Sequence, residues 1–155
     1  MTEPIYRALL GSELSTAAAY WMAMNQELAL TQSGFVEDPE AILDAYLRDG
    51  TSRGTLCVFG AQLDGEIVGS ACAALNNWGS NAILRAPSAT IVGVYVLPPF
   101  RRRGIARGLT ERAIEWCRAQ GCEYVRLQAS AAGRPLYESL GFTPGSEMRL
   151  DLRAR

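Results

Sequence analysis

Residues 97–107 read LPPFRRRGIAR: two prolines, three consecutive arginines, a glycine, then the start of a helix-like run. The stretch just before and into it, ATIVGVYVL at 89–97, is β-branched and continuously apolar, as a buried central strand is. Pro98 and Pro99 close that strand, since proline offers no ladder donor. Over 104–120, Ile105, Leu109 and Trp116 share one helical face, Arg107/Glu111 and Glu115/Arg118 are spaced to pair outside, and Gly121 stops the run. The arginines thus lie between a strand end and a helix start. First-turn amides lack intrahelical partners and carry the positive end of the helix dipole. Gly104 tolerates φ > 0 and a close anion, the small Ala106 leaves a second amide unscreened, and Arg101, Arg102 and Arg103 add charged donors. The loop is built to take a phosphate. A solvated turn is the plainer reading. A nucleic-acid patch asks for more basic surface and interleaved aromatics than a chain of net charge −1 provides.

Outward from this loop, TLCVFGAQL and EIVGSACAAL flank Asp64-Gly65, the signal of a β-hairpin. Residues 4–9 alternate weakly and open a sheet. Residues 13–31 are rich in helix formers, with Leu14, Ala18, Trp21 and Leu28 at helical spacing. A second helix starts at Asp38 as N-cap with Pro39 first in the helix; Ile42, Leu43, Tyr46 and Leu47 form its apolar face, and Gly50 is positioned to end it. NNWGSNAILRAPS, 76–88, reads as a loop, EYVRLQA as a strand, 133–140 as a short helix and SEMRLDL as a final strand. The order predicts one mixed α/β (α+β) domain over residues 1–155.

Composition excludes several chemistries. The chain has no histidine, which removes Ser-His-Asp, Cys-His and HExxH catalysis. It has no lysine either, all fifteen basic residues being arginine, which removes the Walker A loop and Schiff-base chemistry. Cys57, Cys72, Cys117 and Cys122 lie in apolar segments without CxxC spacing and read as reduced core thiols, not metal ligands. No apolar stretch is long enough to span a membrane, and the first residues lack the pattern of a signal peptide, so a cytoplasmic protein with no membrane partner is expected. Residues 1–66 hold ten acidic and three basic groups, a balance of −7, whereas 67–155 hold six and twelve, a balance of +6. Such a split arises by chance, or because one half faces a cationic ligand and the other an anionic one.

With the loop placed, VYVLPPFRRRGIARGL resembles the acetyl-CoA motif [R/Q]xxGx[G/A] of the GNAT superfamily of N-acetyltransferases, with Arg101, Gly104 and Ala106 in the defining positions. LQASAAGRPLYESLGF, 127–142, is similar to the second segment of that family, which ends in a tyrosine, a short helical turn and GF. The resemblance implies a GNAT-type fold: a mixed, mostly antiparallel sheet flanked by helices, with central strands splayed around the arm of CoA. It implies acetyl-CoA as co-substrate, no metal, and a cofactor site of Val94, Val96, Arg101, Arg102, Arg103, Gly104, Ile105, Ala106, Arg107 and Ser130. Within it, the amides of 102–106 would hold the pyrophosphate, and the backbone of Val94 and Val96 would pair with the pantetheine. Gly93 is placed for the bulge that such a splay needs. Ser130 stands where the family often has asparagine, and IVGVYV carries no carboxylate where the family often places a base.

Acetyl transfer requires a deprotonated amine, donors for the oxyanion and a proton for the departing thiolate. Tyr137 matches the family's tyrosine and is the candidate acid, the alternative being a ring that only packs. Glu27, Glu37, Asp38 and Tyr95 are candidates for a base, each with an ordinary structural or solvated reading; a water chain or an amine arriving neutral also serves. The acceptor is expected to be a small-molecule or peptide amine, with no nucleic-acid partner, and the family resemblance admits a homodimer. The competing functional reading is a non-catalytic acyl-CoA-binding sensor or scaffold.

Overall fold

The computed structural model describes residues 2–29, 34–77 and 83–153. Five strands form one open sheet in the order of the chain: β1 (Ile5–Ala8), β2 (Leu56–Leu63), β3 (Glu66–Leu75), β4 (Ala89–Val96) and β5 (Val125–Arg126). The first four are antiparallel and β5 joins β4 in parallel, so the sheet is mixed and mostly antiparallel. Helices α1 (Glu13–Leu28) and α2 (Pro39–Arg53) cover one face, and α3 (Ile105–Ala119) covers the other. The short α4 (Arg134–Ser139) follows β5.

Local chemistry accounts for most element ends. Asp64 and Gly65 both have positive φ, 48° and 87°, the conformation a two-residue I′ hairpin turn demands. The Asp38 carboxylate accepts from the Ala41 amide at 3.2 Å, and Pro39 opens α2 as expected. Gly50, however, does not end that helix. It lies buried inside it, where a Cβ would sit 2.3 Å from the Leu56 side chain, and Gly54 at φ 70° is the C-cap. Helix α1 closes at Ala29, and residues 30 and 31 of the expected helix lie outside the described residues, as do 78–82 of the expected loop.

Two expected strands differ. The stretch at 123–129 pairs only over Val125–Arg126, because the chain then leaves β4. SEMRLDL forms no strand among the described residues: so short a β5 offers no edge for a ladder, and Met148, Leu150 and Leu152 are 94%, 80% and 85% exposed. On α3, Arg107 faces Glu111 as expected, but Glu115 pairs with Arg112 rather than Arg118.

The core has two sides. Leu9, Leu14, Ala18, Leu47, Val58 and Cys72 pack under α1 and α2. Val68, Ala71, Val96, Ile105 and Leu109 pack under α3, with Ala73, Ile91, Ala113 and Cys117 continuing that layer. Leu109 is fully buried where α3 crosses the sheet. Leu109→Ala should cost about 2–5 kcal/mol, read as a lower urea midpoint with an unchanged denaturant slope.

Candidate active site

The β4 strand carries an irregularity that builds the site. Tyr95 lies opposite Ser70 and Val92 opposite Cys72, so Gly93 and Val94 together face the single residue Ala71. This is a β-bulge, and Gly93 sits in it at φ 64°, the left-handed position where glycine is favoured. The extra residue changes which face each side chain takes. Val92 packs with the α1–α2 core, and a Cβ on Gly93 would meet the Trp21 ring on that same face. Beyond the bulge, Val94 and Val96 pack towards α3, while Tyr95 stands 5.7 Å from Tyr20 of α1.

On its other edge β4 pairs with β5 only at Ala89 and Thr90. From Ile91 onward the two part, as the splayed-strand expectation requires. A cleft of about 440 Å3 runs from Val94–Val96 past Arg101, Arg102, Gly104, Ile105, Ala106 and Arg107 to Ser130 and Tyr137. A second, of about 480 Å3, lies between α1, residues 91–94 of β4 and residues 127–131. They share Met24, Leu28, Val94, Ser130 and Tyr137, so they meet as one crevice of small-molecule size.

At the loop, Gly104 is the N-cap of α3 at φ 78°, and nothing stands within 4 Å of where its Cβ would be. The Gly108 amide makes the bond to the Gly104 carbonyl, so the amides of Ile105, Ala106 and Arg107 precede the helix's own ladder. Arg102 is also left-handed at φ 64°, a conformation that costs a non-glycine residue about 1–2 kcal/mol. These are the features of an anion cradle made by backbone.

The arginines divide their work differently from the sequence expectation. Arg101 donates to both oxygens of Glu27, at 2.6 and 2.8 Å, and its Nε donates to the Val96 carbonyl at 2.8 Å. Its guanidinium also lies 5.3 Å from the Tyr95 ring centre. Three of its five N–H groups therefore tie the loop to α1 and β4. One of the backbone groups expected to pair with pantetheine, the Val96 carbonyl, is already engaged. Arg103 lies over the Phe100 ring at 5.5 Å, and Arg107 binds the Ser139 hydroxyl of α4. Gly104, Ile105, Ala106, Arg101, Arg102, Arg107, Val94 and Val96 line the cleft; Arg103 is not among its lining residues.

Tyr137, on α4, lines both clefts and packs edge-on against Phe142, with ring centres 6.0 Å apart. Burial raises its hydroxyl above the usual tyrosine value, so it stays protonated at neutral pH. The Ser130 oxygen accepts from the Gly133 amide at 3.1 Å and orders the turn into α4; its hydroxyl proton remains a donor at the cleft.

Of the four base candidates only Tyr95, beside the Arg101 guanidinium, lines the cleft without a carboxylate's commitments, and the three carboxylates do not stand ready. The Arg101 pair holds Glu27 below the ordinary carboxylate range, Asp38 is spent on its cap, and Glu37 is exposed. Among the described residues no three Cys, Asp or Glu side chains gather as a metal site, and the four cysteines are free thiols. Sequence reasoning missed Met24, Glu27's tie to Arg101, and the cleft position of Leu28, which is 42% exposed. The i, i+3, i+4, i+7 series Trp21, Met24, Asn25, Leu28 signals one helix face, but not that the face looks into a crevice.

This fold and crevice define an acyl-CoA-type transferase architecture, and the comparisons agree. The family described as acetyltransferase (GNAT) matches residues 19–142, most of the chain. The chain belongs to that family. It is similar to an aminoglycoside N(6')-acetyltransferase type 1 of Salmonella typhimurium, 30% identical over 105 residues that cover 64% of this chain and 72% of the relative. A glucosamine 6-phosphate N-acetyltransferase of Trypanosoma brucei brucei is 36% identical over 99 residues, covering 61% and 64%. Its fold is also that of a predicted acetyltransferase from Clostridium acetobutylicum solved with acetyl-CoA, with a TM-score of 0.83, 21% identity and 98% of both chains covered.

Proposed function

We propose that this chain moves an acetyl group from acetyl-CoA directly to a primary amine, as one N-acetyltransferase domain over residues 1–155. The observation that carries the reading is the free edge of β4 beyond the Gly93 bulge, which leads from the open amides at Gly104 to Tyr137 within one crevice. The pyrophosphate would rest on the loop amides of 102–106, and the pantetheine would run along Val94 and Val96. The amine nitrogen attacks the thioester carbonyl, a backbone N–H of the Val94–Val96 stretch receives the oxyanion, and the C–S bond breaks. Tyr137 gives its proton to the departing thiolate, the proton lost by the amine passes to solvent through water, and the Tyr137 phenolate regains a proton from that solvent. The place of Tyr137 where the two clefts meet supports this role. The family comparisons and the relatives' acetyl-CoA and amine chemistry support the donor and the acceptor class. A cytoplasmic setting belongs to the proposal on sequence grounds and a possible homodimer on the family resemblance alone; among the described residues no helix is long and apolar enough to cross a membrane.

Calorimetry with acetyl-CoA tests the cradle. Wild type should bind in the micromolar range, and Gly104→Glu, folded by circular dichroism, should lose binding because its carboxylate stands over the open amides. Binding that survives Gly104→Glu would remove this loop from the site. Tyr137→Phe should lower kcat about ten- to a thousandfold with acetyl-CoA affinity nearly unchanged. An unaltered kcat retires the acid, and CoA binding without thiol release on any amine favours the sensor reading.

A further inference from the structure

The part of the crevice between α1 and the splayed strands has no charged side chain among its described lining residues, whereas the part it joins is lined by the Arg101–Glu27 pair, Arg102 and Arg107. Its wall includes Trp21, Met24, Leu28 and Leu127, and its polar side chains beyond Ser130 and Tyr137 are the amides of Asn25 and Gln128. Among the described residues it is lined by no carboxylate and no guanidinium. None of the ten acidic residues of the first 66 lines it, and five of them are held in ion pairs or a helix cap. Glu13 pairs with Arg7, Glu27 with Arg101, Asp44 with Arg48 and Asp49 with Arg53, while Asp38 caps α2. The stretches 30–33, LTQS, and 78–82, WGSNA, carry no charge in their sequence.

Bringing several ammonium groups into such a cleft strips their water with no anion to replace it, a cost of several kcal/mol per buried ion. One amine that enters neutral, or sheds its proton on arrival, escapes that cost, and an apolar body gains by covering the Trp21, Met24 and Leu127 side chains.

Resting on the acetyltransferase reading above, we propose that the acceptor is a monoamine borne on an uncharged, apolar body, aromatic or aliphatic, held by this wall, and not a polycationic amino sugar or polyamine. The charge split along the sequence is then carried by carboxylates outside this cleft, among them the exposed Glu3, Glu37, Glu40 and Glu66, and not by an acceptor wall.

The test compares kcat/KM for 2-phenylethylamine and n-hexylamine with that for spermidine and kanamycin, by thiol release at fixed saturating acetyl-CoA, beside calorimetry of acetyl-CoA alone. The monoamines should exceed the polycations by about tenfold or more. Asn25→Asp, nearly isosteric and half-buried, should move that ratio at least about tenfold towards the polycations by supplying the missing carboxylate. With acetyl-CoA bound, polycations equal to or better than the monoamines, no turnover of either monoamine, or an Asn25→Asp ratio that does not move would each overturn the acceptor assignment and leave the donor reading standing. Absence of acetyl-CoA binding by folded protein would instead overturn the transferase reading, and the acceptor assignment with it.

Discussion

One left-handed glycine organises the crevice. At Gly93 the β4 strand takes φ 64°, and the Trp21 ring lies 3.1 Å from where a Cβ would be, so neither the backbone angle nor the space suits another residue. The bulge adds one residue to a strand whose side-chain period is two, and every residue after it changes face. Val94 and Val96 therefore seat themselves against α3 while Tyr95 turns to α1. Had the strand run unbulged, Tyr95 would have entered the α3 core and the valines would have lined the other side. Among the described residues no strand pairs with the outer edge of that stretch of β4, and such an edge is what a linear acyl carrier can use.

Electrostatics at the loop work through backbone more than side chains. The triple arginine looks like an anion trap, yet Arg101 is a strut between α1 and β4, and Arg103 lies over Phe100. The open amides of the first turn of α3, with left-handed Arg102 and Gly104 before them, are the fixed positive groups. Such donors need no side-chain ordering when a diphosphate arrives, whereas a free arginine loses rotamer freedom. The strut also costs the site a base: the pairing that steadies Arg101 keeps Glu27 ionised and occupied.

Local features of the chain were legible without coordinates. The Asp64-Gly65 turn, the Asp38-Pro39 helix start and the strand–RRRG–helix order each follow from dihedral preference or periodicity over a few residues. The paired motifs at 94–109 and 127–142 carried the family, and the family model covers both. Gly50 was misread because a glycine that makes room for a neighbour and one that ends a helix look alike until the Leu56 side chain is seen against it.

The sequence by itself determined which segments become helix and strand around the loop, that Gly104 and the Asp64-Gly65 turn admit positive φ, and which chemistries are absent for want of histidine and lysine. These depend on residue type and near neighbours, and the chain carries both explicitly. The tertiary structure alone decided that Glu27 meets Arg101 across 74 residues, that β5 parts from β4 after two residues, and that SEMRLDL forms no strand among the described residues. It also decided that the Trp21–Leu28 face of α1 lines a cleft with no charged side chain among its described lining residues. Each of these is a contact between distant segments, set by how whole elements pack, and a period of 3.6 or 2 says which face is apolar but not what that face will meet.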